Sequence, residues 1–319
     1  MRMSQLAARS VRVPGARPLL AGMAAGFSGW RTRALTVAAA SMFLAVGLSA
    51  TPAAAVTTSI TLQPSVGPPT SAVTVKGIGF GASETVAVDF SGSQVATAAT
   101  SATGTFSATF TVPSSALPGS HPVTATGATS GRSATRNFLV RTDWARFHFD
   151  PANSGLNPYE NVIGPANVSG LKTAWTAANP LGIGSIGSSP AVAGGVVYVG
   201  STQGNLYAFS AAGATGCSGT PKTCTPLWTA ANAGGVSPMS PAPAVANGVV
   251  YVGSDGQLYA FSAAGTTGCS GTPKTCTPLW ATATSTSGAT FSSPAVANGM
   301  VYEGQWSGPN SPFSAYELP

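Results

Sequence analysis

Charge is what this sequence has least of. Only 7% of its 319 residues are charged, against about a quarter in an ordinary soluble domain, so dense ion pairing cannot organise its surface. Histidine is nearly missing: with His121 and His148 alone, a catalytic triad has no visible partners, and a solvated or packed role is expected for His148. The four cysteines are never adjacent. No pair has the tight spacing of a zinc ribbon or of a reactive Cys-x-x-Cys motif. No phosphate-cradling glycine loop occurs in a strand-to-helix setting, since the glycines of "GIGSIGSS" (182–189) belong to a plain loop. An Asp-rich calcium loop is also absent.

The formal charge of +6 would point to nucleic acid or an acidic membrane if it were spread along the chain. It is not. Arg2, Arg9, Arg12, Arg17, Arg31 and Arg33 all precede residue 35, no acid does, and the remainder is neutral. A nucleic-acid partner is therefore not indicated.

What is abundant is glycine and proline, 39 and 25 residues, together with 44% hydrophobic content. Turns must be frequent, yet there is enough apolar material to exclude disorder. The N-terminus has the parts of a secretory signal: Arg31 and Arg33, the apolar run "ALTVAAASMFLAVGLSA" (34–50), then Ala53, Ala54 and Ala55. Cleavage after Ala55 is expected, with an uncleaved anchor as the competing reading and Met23 as a start that gives a more ordinary leader. Such a protein is secreted or displayed at the cell surface, has no membrane attachment after cleavage, and meets conditions in which cysteines pair.

Residues 56–141 hold no cysteine or tryptophan. Short runs alternate apolar with small polar residues: "AVTVK" (72–76), "TVAVDF" (85–90), "FSATFTV" (106–112), "PVTAT" (122–126) and "NFLV" (137–140). Turn signals such as "SGS", "ATGT", "LPGS" and "TSGR" separate these half-buried strands, which is the pattern of an antiparallel sandwich. With Gly77, Gly79 and Phe80 in "VTVKGIGFGASETVAVDF", the segment resembles the bacterial Ig-like domains of secreted and surface proteins. The resemblance implies a spacer or presenting module.

After the aromatic stretch "DWARFHFDPANSGLNPYEN" (143–161), in a lead-in segment 142–174, the chain repeats itself. "SSPAVAGGVVYVG" (188–200), "PAPAVANGVVYVG" (241–253) and "SSPAVANGMVYEG" (292–304) align, with Pro190, Pro243 and Pro294 spaced 53 and 51 residues apart. "GNLYAFS" (204–210) and "GQLYAFS" (256–262) follow, and "FSAYELP" is a degraded third copy. Trp175, Trp228 and Trp280 complete the period. A repeat of roughly fifty residues with four short strands is a propeller blade. The recurring aromatics Trp175, Tyr198, Tyr207, Phe209, Trp228, Tyr251, Tyr259, Phe261, Trp280 and Tyr302 are read as packing between blades.

"SSPAVAGGVVYVGS" (188–201) and its sister "PAPAVANGVVYVGS" (241–254), with "LYAFSAAG" and the distal "LW", resemble the blade repeat of the pyrroloquinoline-quinone-type propellers, and the lead-in resembles that family's opening. The fold expected is thus all-β: an Ig-like β-sandwich at 56–141, then an incomplete β-propeller of about three four-stranded blades at 175–319. Rings commonly hold roughly seven or eight blades. Truncation, or completion by further blades or other chains, is therefore expected.

The resemblance implies two kinds of protein: a ring that binds or scaffolds, and a dehydrogenase holding the quinone (PQQ) and Ca²⁺. The second needs adjacent cysteines and a set of carboxylates that these residues do not supply. Asp255 in "GSDGQ" reads as a turn residue. Glu303, which stands where the sister repeats have Val199 and Val252, is expected to be solvated. Asn167 in "NVS" fits a glycosylation acceptor. The reading favoured is a secreted or cell-surface binding or scaffold protein without intrinsic catalysis, no cofactor, and an unknown surface ligand or protein as partner. The alternative is the N-terminal part of a PQQ-dependent alcohol or sugar dehydrogenase.

One motif, "GCSGTPKTCTPLW", occurs twice unchanged, at 216–228 and 268–280. Local disulfides, Cys217 with Cys224 and Cys269 with Cys276, are favoured over cross-blade pairing or a metal. By chain entropy each stabilises by roughly 2.5 kcal/mol at most. The insert reads as a hairpin loop decorating the outside of a blade.

Overall fold

The computed structural model describes residues 57–177, 185–230, 241–254, 256–283, 290–306, 309 and 313–317. The leader at 1–55 and Asp255 lie outside the described residues. Among the described residues, apart from one 3-10 turn at Val168–Gly170, the regular structure is β throughout.

The alternating runs pair into two sheets. Ser59–Gln63, Ala72–Ile78 and Phe106–Thr111 make the smaller. Val66–Gly67, Ser133–Val140, Gly119–Gly127, Thr85–Phe90 and Ser93–Ala99 make the larger, in that order. Period-two alternation puts Val73, Val75, Phe106 and Phe110 of the one against Val86, Val88, Phe90, Val123 and Phe138 of the other in a single buried cluster. Burying each such side chain contributes about 1.5–3 kcal/mol. Gly77 faces Phe106 across the strands, and its missing side chain is where that ring lies.

The repeats form successive antiparallel sheets. In the first blade the strands are Ala191–Ala193, Val196–Gly200, Leu206–Ser210 and Trp228–Ala230. In the second they are Ala244–Ala246, Val249–Ser254, Gln257–Ser262 and Trp280–Ala283. The third has Ala295–Ala297, Met300–Trp306 and Phe313–Glu317, with Thr290–Phe291 beside the far end of its second strand. Two-residue turns join the first two strands of each, and Asn247-Gly248 and Asn298-Gly299 both take the left-handed conformation those turns require.

Faces follow from register. Directly opposed residues share a face, so Val250, Val252, Tyr259 and Phe261 point together, and they lie in one cluster with Tyr198, Leu206, Ala208 and Trp228 of the first blade. The backward face of the second blade is thus packed on the forward face of the first.

The cysteine insert differs from expectation. Each disulfide does close a short hairpin, Cys217–Ser218 with Thr223–Cys224 and Cys269–Ser270 with Thr275–Cys276. It is not a decoration, however. The second hairpin pairs in parallel with Trp228–Ala230 of the preceding blade, and the first pairs likewise with Thr176–Ala177. The amides of Thr176 and Thr229 donate to Lys222 and Lys274, both at 3.0 Å. Each insert reaches back and extends the sheet before it, because the outer strand there has a free edge that needs partners.

Candidate functional site

The features that could carry function gather where the lead-in segment crosses the blades. Trp144 exchanges both backbone hydrogen bonds with Val192 at 2.7 Å, and the carbonyl of the next residue, Ala145, accepts from Val245 at 2.7 Å. Two consecutive residues thereby touch the innermost strands of two consecutive blades. Beside them, Arg141 Nε donates to Asp143 Oδ1 at 2.9 Å, and Asp143 Oδ2 accepts from the Gly194 amide at 3.3 Å. A cleft of about 600 Å³ lies here, lined by Arg141, Asp143, Tyr198, Val245 and Asn247 among others. Tyr198 donates its hydroxyl to the Ala263 carbonyl at 3.0 Å, and burial, with Asp143 nearby, pushes its phenol up to about 12. It is a structural hydroxyl at neutral pH, unsuited to acid–base work.

A second cleft, about 410 Å³, is lined by Trp144, Phe147, His148, Ser189, Pro190 and Val192. Phe147 is 42% exposed and stacks on the exposed His148 ring at 3.9 Å. His148 and Phe149 both take positive φ, 59° and 71°, conformations rare for bulky residues. Turn hydrogen bonds from Asp150 and Gly155 to the His148 carbonyl, and the edge-on packing of Phe149 against Trp144, hold them there. His121 is placed elsewhere, in the sandwich. Its Nδ1 is 2.9 Å from the Ser91 hydroxyl and its Nε2 2.8 Å from the Leu117 carbonyl, with the ring stacked on Phe90. The two histidines share no site.

The repeated aromatics divide. Tyr198, Tyr207, Phe209, Trp228, Tyr259 and Phe261 are almost fully buried. Trp175 is half-buried against Phe209, its indole N–H on the Ala211 carbonyl at 3.1 Å, just as Trp228 lies against Phe261 with its N–H on Ala263 at 3.2 Å. The rings sit over Gly213 and Gly265, whose positive φ and missing side chains are both required there. Tyr251 and Tyr302 are only half-buried, and Trp280 is 42% exposed, touching Tyr316 edge-on. The glycine turn and cysteine hairpin that cover Trp228 have no counterpart among the described residues of the third blade.

Glu303 corrects the expectation of a solvated carboxylate. It is 3% exposed, and neither carboxylate oxygen has a hydrogen-bond partner among the described residues. By register it occupies the place of Val199 and Val252 on the backward face, and its cross-strand neighbour is Ser314 where the sisters have Tyr207 and Tyr259. Burial pushes its acid up to about 8, so it is mostly protonated at neutral pH. Asn167 is exposed, but its amide is engaged, donating to the Val162 carbonyl at 2.6 Å while its oxygen accepts from Gly164 at 2.8 Å.

One carboxylate was overlooked by sequence reading altogether. Glu84 accepts from the amides of Gly81, Thr129 and Ser130 and from the Ser130 hydroxyl, all within 3.0 Å, and these bonds lower its acid to about 2. It ties two turns of the sandwich together.

Among the described residues no three of His, Cys, Asp and Glu gather as a metal site, and all four cysteines are paired within hairpins.

Comparison with known proteins places the chain. No curated protein matches. Among solved structures, the quinohemoprotein alcohol dehydrogenase of Comamonas testosteroni is 23% identical over 55% of this chain, with a TM-score of 0.40, and this chain spans only 25% of its length. The CARDB domain of a Pyrococcus furiosus protein, in complex with di-metal ions, is 22% identical over 26% of this chain and 90% of that domain, with a TM-score of 0.20. The blade repeat, the reciprocal packing of its faces and a family model matching residues 122–308 together mean that the chain belongs to the PQQ_2 family, described as outer membrane protein assembly factor BamB.

Proposed function

We propose that this protein is an exported binding or scaffold protein: an Ig-like module bearing propeller blades of the PQQ-type family, without intrinsic catalysis. The observation that carries the reading is how the repeat spends its distinctive residues. Trp175, Trp228, Phe209, Phe261 and the four cysteines join one blade to the next, leaving none of them to hold a cofactor or to react. Two disulfides suit an oxidising compartment, in keeping with export. No helix among the described residues is long and apolar enough to cross a membrane.

The surface best suited to a partner is the cleft of Trp144, Phe147, His148 and Pro190. An exposed, pre-stacked aromatic pair offers contact area at little entropic cost. The sandwich, on this reading, spaces that surface from its point of attachment.

The test is direct. Purified protein is given PQQ and Ca²⁺ and assayed for dye-linked oxidation of alcohols and sugars. No turnover is expected; oxidation above the quinone-only background, abolished by chelating Ca²⁺, overturns the reading. N-terminal sequencing of exported protein is expected to begin at Val56.

A further inference from the structure

Ser91 and His121 meet at one rim of the sandwich. Ser91 and Gly92 are the two central residues of the turn between Thr85–Phe90 and Ser93–Ala99, and both have positive φ, 50° and 84°. Phe90 is paired directly with Ser93, so this is the tight hairpin turn in which glycine or asparagine is usual and a serine is held against its preference. The amide of Ser91 donates to the Pro122 carbonyl at 2.8 Å, which ties the turn to the neighbouring strand Gly119–Gly127. That strand carries His121. Its ring is stacked on Phe90, 5.0 Å away and within 15° of parallel, and Phe90 is itself 3% exposed in the core.

The two ring nitrogens have different partners. Nε2 is 2.8 Å from the Leu117 carbonyl, an oxygen that can only accept, so the proton of the neutral imidazole sits on Nε2. Nδ1 is then an acceptor, and the Ser91 hydroxyl, 2.9 Å away, donates to it. A hydroxyl nucleophile, a base, and a group that fixes the tautomer of that base are thereby linked. Ser91 is exposed, so a reagent can reach it. The amide of Gly92, the residue after the nucleophile, has no acceptor among the described residues and can serve a developing oxyanion.

We propose that Ser91 is an acyl acceptor, modified by activated esters. Its Oγ attacks the ester carbonyl carbon while His121 Nδ1 takes the hydroxyl proton. The bond to the leaving alkoxide then breaks, and that group departs with the proton from His121. One C–O bond is made and one is broken, nothing is oxidised or reduced, and the product is an ester on Ser91. The reaction marks each chain once and uses up the hydroxyl, so it is a modification rather than turnover. It goes beyond the reading above, because it belongs to the sandwich and holds whatever the blades bind.

The full chain treated with p-nitrophenyl acetate tests this. Ser101 is the internal control: it is exposed too, but its hydroxyl is bonded to those of Thr103 and Thr105, at 2.9 and 2.8 Å, and to no imidazole. Peptide mass mapping over time is expected to show Ser91 acetylated about 100-fold faster than Ser101. His121→Gln, checked for an unchanged circular dichroism spectrum, should abolish that preference. Unfolding the parent chain in urea should abolish it as well, and that comparison needs no substitution. Ser91 labelled no faster than Ser101 in the folded parent overturns the proposal, and so does a folded His121→Gln chain that labels Ser91 at the parent's rate.

Discussion

The indole N–H of Trp228 and the hydroxyl of Tyr198, both from the first blade, converge on one acceptor in the second, the carbonyl oxygen of Ala263, at 3.2 and 3.0 Å. That carbonyl has two lone pairs, and both are used. The junction is therefore fixed by direction as well as by apolar contact.

Trp228→Ala should accordingly be costly, about 3–5 kcal/mol, because it removes a 2% exposed ring and one of the two donors. Trp280→Ala, at a 42% exposed site, should cost about 1 kcal/mol or less. Urea denaturation of the two variants measures the contrast; equal losses would mean that the repeats are energetically alike despite their different burial.

Reduction of the disulfides should loosen the preceding outer strand as well as the hairpin. Replacing Cys269 and Cys276 together by serine is expected to remove about 2.5 kcal/mol of loop-closure stabilisation. It should also speed hydrogen exchange at Thr229, whose amide is held by Lys274 inside that hairpin. The Thr176 amide, held by the other hairpin, serves as the internal control.

Glu303 predicts a fall in stability toward alkaline pH. Its folded acid is raised to about 8, whereas the unfolded group titrates near the ordinary value of 4.5. Between those values the unfolded chain has released a proton that the folded chain keeps. Its contribution is therefore complete below pH 4.5, lost progressively up to about pH 8, and flat above. The loss should be on the order of a few kcal/mol. Glu303→Gln should flatten the slope, and Glu303→Val, which restores the sister residue, should raise stability at pH 8. Thermal unfolding across that range reads both.

Glu84 gives the opposite slope. Its folded acid lies near 2, so its contribution is present above pH 4.5 and fades as pH falls toward 2. Glu84→Gln should be less stable than the parent at pH 7 and should lose less on acidification, as followed by the circular dichroism of the isolated acid transition.

Five of the eight strands before residue 141, the three repeats and both disulfide pairs could be read from the sequence, because each has a local signature: period-two alternation, the recurring "AVAGG" or "AVANG" turn, and two cysteines a hairpin apart; Ser59–Gln63, Val66–Gly67 and Ser93–Ala99 were not picked out. The partner of the cysteine hairpin could not. Thr275–Cys276 lies parallel to Trp228–Ala230, and nothing in either segment's composition names the distant edge it meets. Glu303 misled for a related reason. A carboxylate in a valine register reads as surface by its own chemistry, yet it is buried at the register position where Val252 is buried too. Glu84 was invisible because its four donors come from turns, three of them around 45 residues away in sequence.

The backward reach of the cysteine hairpins gives the array a direction in time. A blade's outer strand gains its last neighbour from the repeat that follows it in sequence. During synthesis each sheet therefore stays unsealed until its successor has emerged. Completion runs from the N-terminal side, one repeat behind the growing chain.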